Sequence, residues 1–147
     1  MVKKKVKKKA KKKASKRPLK AKAWRLFSEY IRRKYSDENG NCECVTCGKI
    51  DHWSELQAGH SVSGRTNSVL FVEDIVHPQC VRCNIFMGGN YERYTLFMID
   101  MYGRAKYEEL LDLKNVSVKI SVTDLEEICV KYKSLIDQLK ARASSGS

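Results

Sequence analysis

Trp24, Phe27, Tyr30, Ile31, Lys34 and Tyr35 recur at three- and four-residue steps and put a largely apolar stripe on one face of a helix over about 23–37. Asn39-Gly40 is the expected stop. Tyr91, Tyr94, Phe97, Met98 and Met101 mark a second helix, entered through Gly88-Gly89 and ending near Gly103, with a core face. A short helix is expected from Ala105 to Leu113. Val116, Val118, Ile120 and Val122 then alternate with polar residues, the period of a strand or an extended connector. Thr123 and Glu126 have capping-box spacing ahead of a stripe formed by Leu125, Ile128, Cys129, Tyr132, Leu135, Ile136 and Leu139. That stripe can pack within the domain or on a second copy, and Cys129 is read as a small buried apolar residue.

Between the first two helices, residues 41–84 show only short apolar runs punctuated by Gly, Asn and Cys. A segment this poor in apolar residues cannot build its own core, and its cysteines suggest what replaces one. Cys44-Val-Thr-Cys47 and Cys80-Val-Arg-Cys83 are two C-x2-C knuckles separated by 32 residues. Zn2+ takes four thiolates in a tetrahedron, and each knuckle supplies two, so the expected site is closed and structural. Cys42 offers a further thiol, but the regular spacing and the following Gly48-Lys49 favour Cys44 as the ligand.

Charge changes the picture at the N-terminus. Residues 1–22 hold 13 of the 29 Lys and Arg and none of the 17 Asp and Glu, so the net +12 belongs to that segment and the remainder is nearly neutral. A block of like charges without apolar periodicity is expected to stay disordered until it meets a polyanion such as nucleic acid. No apolar run is long enough to cross a membrane, and no apolar segment follows the basic start, so a cytoplasmic protein without a membrane partner is expected. A reducing compartment favours metal ligation over disulfides.

All three histidines, His52, His60 and His77, lie between the knuckles. In the HNH, or ββα-metal, nucleases a histidine ends the first strand and a ligand often follows the second C-x2-C directly; Gly59-His60 and Cys83-Asn84 hold those places here. With the blocks AWRLFSEYIRRKY, CVTCGK, LQAGH, VHPQCVRCN and GGNYERY in order, the chain from about Ala23 to Tyr132 resembles the NinG (Rap) recombination endonucleases of lambdoid phages. The resemblance implies an α+β fold: a small zinc-stapled ββα-metal core with flanking helices.

Residues 1–22 would then be a disordered tail, 23–103 the nuclease core, 104–142 a helical region with an extended connector, and 143–147 a frayed end. It also implies metal-dependent hydrolysis of branched DNA such as Holliday junctions, in the host cytoplasm, by a homodimer working with recombination proteins. His60 would be the general base. Asn84 would give an oxygen to catalytic Mg2+ or Mn2+, and Arg65, then Arg82 and Lys49, would contact phosphate. The Asp that usually precedes the base is Gly59, and the middle Asn of the HNH signature falls on Ile75. The second ligand of the catalytic cation is therefore open between His77, the leading candidate, and Asp74. The other reading is a four-cysteine zinc module that binds nucleic acid without cutting it.

Overall fold

The computed structural model describes residues 15–145. The first helix, α1 (Lys16–Lys34), begins seven residues inside the Lys-rich segment, which corrects the expectation of disorder through residue 22; residues 1–14 lie outside the described region. Pro18 is tolerated because the first turn of a helix has no use for its missing N–H. Leu19 and Ala23 give the extension an apolar seat against Ile120, Leu125 and Cys129. Lys20 also donates to Asn67 Oδ1 at 2.8 Å, so one of the tail's cations is tied to the folded part.

After α1, β1 (Asn41–Glu43) and β2 (Ile50–His52) form one antiparallel hairpin. The helix stops five residues ahead of Asn39, and Asp37 makes the turn by accepting hydrogen bonds from the backbone N–H groups of Asn39 and Asn41. A second hairpin pairs β3 (Gln57–His60) with β4 (Val76–Gln79), Gly59 opposite His77 and His60 opposite Val76. The short helix α2 (Asn67–Leu70) lies in the loop between them. One wide helical turn, Arg82–Phe86, follows β4 and closes with a bond from Met87 N–H to Arg82 O at 2.8 Å. Gly88, Gly89 and Asn90 then take φ values of +58°, +103° and +47°, a left-handed run that turns the chain into α3 (Tyr91–Tyr102).

Helix α4 (Arg104–Asp112) matches the expected short helix. The alternating stretch beyond it is a connector and not a strand. Only Ile120 is buried, Val116 and Val118 stay exposed, and Asn67 Nδ2 donates to Val118 O at 3.1 Å, where a partner strand would otherwise bond. Helix α5 (Val122–Ser145) runs through the end expected to fray, as far as the described residues reach. Its cap lies two residues before the expected one. Ser121 Oγ accepts from Asp124 N–H at 3.0 Å and Asp124 Oδ2 accepts from Ser121 N–H at 2.8 Å, the reciprocal pattern of a capping box.

The apolar stripe of α5 is spent inside the chain. Leu125, Cys129, Tyr132 and Ile136 are buried against α1 and its neighbours, with Tyr132 edge-on to Phe27 at 5.0 Å. Phe27 in turn meets Phe71 edge-on at 5.7 Å, and Ile31, Val62, Val69, Ile75, Val76, Tyr94 and Met98 complete the main core. Helix α1 is thus packed between α5 and the β3–β4 hairpin and sets where that hairpin sits. Among the described residues no helix is long and apolar enough to cross a membrane.

The observed cap gives a direct check. Ser121→Ala should lower stability by about 1 kcal/mol, while Thr123→Ala should stay within about 0.5 kcal/mol; urea unfolding followed by circular dichroism separates the two registers.

Candidate metal centre and adjoining groove

Cys44 and Cys47 lie in the turn joining β1 to β2, Cys80 directly follows β4, and Cys83 is in the helical turn after it. Their four sulfur atoms all lie within 4.8 Å of one another, and Cys47 Sγ is 3.7 Å from Cys80 Sγ. A zinc tetrahedron with bonds of about 2.3 Å has edges of about 3.8 Å, so the sulfurs need little movement to hold a metal such as zinc. Cys42 stands apart, buried with its sulfur 3.6 Å from Arg32 O, and burial raises its thiol to about 11.

Burial pushes the Cys44 thiol up as well. Hydrogen bonds from the Thr46 hydroxyl and from the backbone N–H groups of Cys80, Cys47 and Thr46 outweigh that and bring it down to about 6. A thiolate is therefore favoured at Cys44.

The residues expected to act on DNA fall into two groups. His60, Arg65 and Asn84 line one open groove of about 430 Å³, together with Ser63, Tyr91 and Gly88-Gly89. His77 does not. It is fully buried in an aromatic nest with Tyr35, Phe97, Tyr94 and Tyr102, and both ring nitrogens are engaged, Nδ1 with Tyr94 Oη at 3.0 Å and Nε2 with Tyr102 Oη at 2.8 Å. Tyr94 donates to Gly59 O at 2.7 Å, so its oxygen accepts from His77 Nδ1–H and His77 Nε2 accepts from Tyr102. With no lone pair left over, His77 is set aside as a cation ligand. It positions β3 through Tyr94.

Asp74 precedes β4 on the turn Glu73–Ile75 and does not line the groove. Lys49 pairs with Asp51 at 3.7 Å, Arg82 is exposed on the helical turn outside the groove, and His52 accepts from Ser54 N–H to cap a short turn.

His60 ends β3 with its ring stacked on Trp24, centroids 5.2 Å apart and planes 19° from parallel. Its Nε2 lies 3.2 Å from Leu70 O, and a carbonyl can only accept, so Nε2 carries the proton and Nδ1 keeps its lone pair. Burial, reinforced by the Arg65 charge, lowers the imidazole to about 4, and the bond to Leu70 offsets this only in part. The ring is neutral at pH 7. The Arg65 guanidinium lies 4.5 Å above the Trp24 ring, so Trp24, half-buried on α1, holds both the histidine and the arginine by their faces. The sequence pattern assigns Trp24 only to a helix core stripe; its site partners His60 and Arg65 lie more than 30 residues away, and nothing local signals them.

Asn84 donates from Nδ2 to Gln57 Oε1 at 2.8 Å, which turns its Oδ1 toward Gly59. No carboxylate lines the groove.

A family model described as the bacteriophage lambda NinG protein matches residues 1–142. The chain belongs to the NinG family. It is 25% identical over 126 residues to protein ninG of Escherichia phage 933W, a match that covers 85% of this chain and 60% of that protein. Protein ninG of Salmonella phage P22 is 28% identical over 89 residues, 60% of this chain and 41% of that one. The chain thus spans about 60% of the length of the first of these NinG relatives. No solved structure matches.

Elemental analysis should find one zinc per chain; Cys44→Ser should lose it and Cys42→Ser retain it. The His60 ring should also make stability pH-dependent. It takes up a proton near pH 6.5 when unfolded but only near pH 4 when folded, so between those values the unfolded chain binds more protons. Stability should fall as pH drops from about 6.5 to about 4 and the slope should be shallower in His60→Gln, as read from urea midpoints across that range.

Proposed function

We propose that this NinG-family chain is a metal-dependent endonuclease of branched recombination intermediates, Holliday junctions among them. The observation that carries the reading is the tautomer of His60: a neutral imidazole, with Nε2 spent on Leu70 O and Nδ1 free as a base, in the same groove as Asn84 and Arg65. The order of parts supports it. An antiparallel hairpin ends in the histidine on one strand, and the other strand leads into a C-x2-C knuckle and one helical turn that presents Asn84, an order that a ββα-metal nuclease would require.

In this reading His60 Nδ1 takes a proton from the attacking water. Arg65 stabilises the phosphate charge, its fork of donors steadied by Trp24. Asn84 offers a hard oxygen to Mg2+ or Mn2+, which would stabilise the developing charge and the leaving oxygen. A zinc ion held by Cys44, Cys47, Cys80 and Cys83 would be structural and would fix where Asn84 points. Two cuts are needed to resolve a junction, so a pair of chains is the natural working unit, in the cytoplasm where phage DNA recombines and beside other recombination proteins.

The groove's lack of a carboxylate favours a second reading, a zinc module that grips branched DNA without cutting it. Purified protein with Mg2+ or Mn2+ should cut a four-way junction in preference to linear duplex, and His60→Ala should reduce cutting by about 10²–10⁴-fold with zinc retained. Junction binding without metal-dependent cutting would select the second reading.

A further inference from the structure

The place where a carboxylate is missing is not empty space. A Cβ built on Gly59 would collide with Gln79 Oε1 and come within 3.0 Å of Asn84 Oδ1. Two amide oxygens, one from β4 and one from the helical turn after it, therefore converge on the space in front of the Gly59 Cα.

Each amide is held by its nitrogen end. Gln79 Nε2 donates to Gly89 O at 2.9 Å and to Thr46 Oγ1 at 3.2 Å; the Gly89 carbonyl can only accept, so the amide cannot be turned round. Asn84 Nδ2 is anchored on Gln57. Gln79 is fully buried, and its Oε1 has no hydrogen-bond partner among the described residues. An unpaired buried acceptor costs on the order of 1–3 kcal/mol, and the groups that impose this one, Thr46 and Gly89, also touch the zinc cluster and the groove.

We propose that Gln79 Oε1 is the second hard-oxygen ligand of the divalent cation, paired with Asn84 Oδ1 and standing where a carboxylate at position 59 would otherwise reach. This rests on the endonuclease reading for its use but not for its test. Divalent Mg2+ and Mn2+ accept neutral amide oxygens and keep several waters, so two protein oxygens suffice for a weak site between Asn84, which lines the groove, and the buried Gln79. Glycine at 59 and glutamine at 79 belong together: any side chain on residue 59 would displace the Gln79 amide.

The probe is Mn2+ alone, added to zinc-loaded full-length protein and followed by the loss of the free-ion electron paramagnetic resonance signal. Wild type should bind one Mn2+, and Gln79→Leu should weaken binding by about tenfold or more with zinc content unchanged. Should Gln79→Leu fail to fold, Gln79→Glu carries the test, because it keeps the oxygen and adds charge and should bind Mn2+ more tightly than wild type. Gly59→Asp combined with Gln79→Ala should restore binding lost in Gln79→Ala, by supplying the carboxylate from the opposite strand.

Wild-type affinity in Gln79→Leu, unimproved affinity in Gln79→Glu, or no Mn2+ binding by wild type would each overturn the assignment. Mn2+ binding that depends on Gln79 in a protein that cuts no DNA would leave the cation site standing and remove the endonuclease reading. Cutting by a protein whose Mn2+ affinity ignores Gln79 would do the reverse.

Discussion

Four sulfur atoms within 4.8 Å of one another are the constraint on which the β-rich half of this chain depends. Among the described residues only Cys42, Leu56 and the partly buried Tyr35 and Trp53 pack around them, too little apolar surface to hold the β1–β2 hairpin in place. A structural zinc in a small peptide contributes binding free energy on the order of 10 kcal/mol, which is more than such a patch of side chains can supply. The cysteine cluster also joins elements distant in sequence: the turn between β1 and β2 and the exit from β4. Its second knuckle carries Cys83, so the direction of Asn84, one residue on, is inherited from the cluster.

A second constraint acts from the other side. Helix α1 packs against both α5 and the β3–β4 hairpin, and Trp24 on its surface is the plate on which His60 and Arg65 rest. The buried chain from Tyr102 through His77 and Tyr94 to the Gly59 carbonyl fixes the strand that ends in His60. Three separate supports therefore meet at one groove: the four-cysteine cluster sets Asn84, the aromatic nest sets β3, and α1 sets the faces of the histidine and the arginine. Rigid support of this sort is what a site needs if its donor atoms are to wait in position.

His77 and Gln79 exchange the roles suggested by residue type alone. An imidazole near a zinc knuckle attracts a ligand assignment, yet His77 has both nitrogens occupied and serves as a buried strut. A glutamine invites no attention in a sequence, yet Gln79 carries a buried side-chain oxygen, facing Gly59, that has no hydrogen-bond partner among the described residues. Both residues sit on β4, two positions apart and so on one face of the strand; the difference is whether hydrogen-bonding partners lie within reach of each polar atom.

The sequence by itself determined the elements whose signal is local. The helical stripes of α1, α3 and α5 follow from spacing, because a helix exposes its period within a few residues. The four-thiol cluster follows from two knuckles whose ligand type is dictated by the metal. The start of α1 was hidden, since a run of lysines reads as solvated charge and only packing of Leu19 and Ala23 on α5 extends the helix through it. The α5 cap was misplaced by two residues because Ser121-Asp124 and Thr123-Glu126 have the same spacing, and the choice rests on where Ile120 is buried. The alternating valines became a connector because no neighbouring strand was within reach. Only the tertiary structure could bring His60, Arg65, Asn84, Trp24 and Gln79 together or turn His77 away. Those relations depend on which surfaces α1 and the zinc cluster press against one another, and no window of sequence contains both partners.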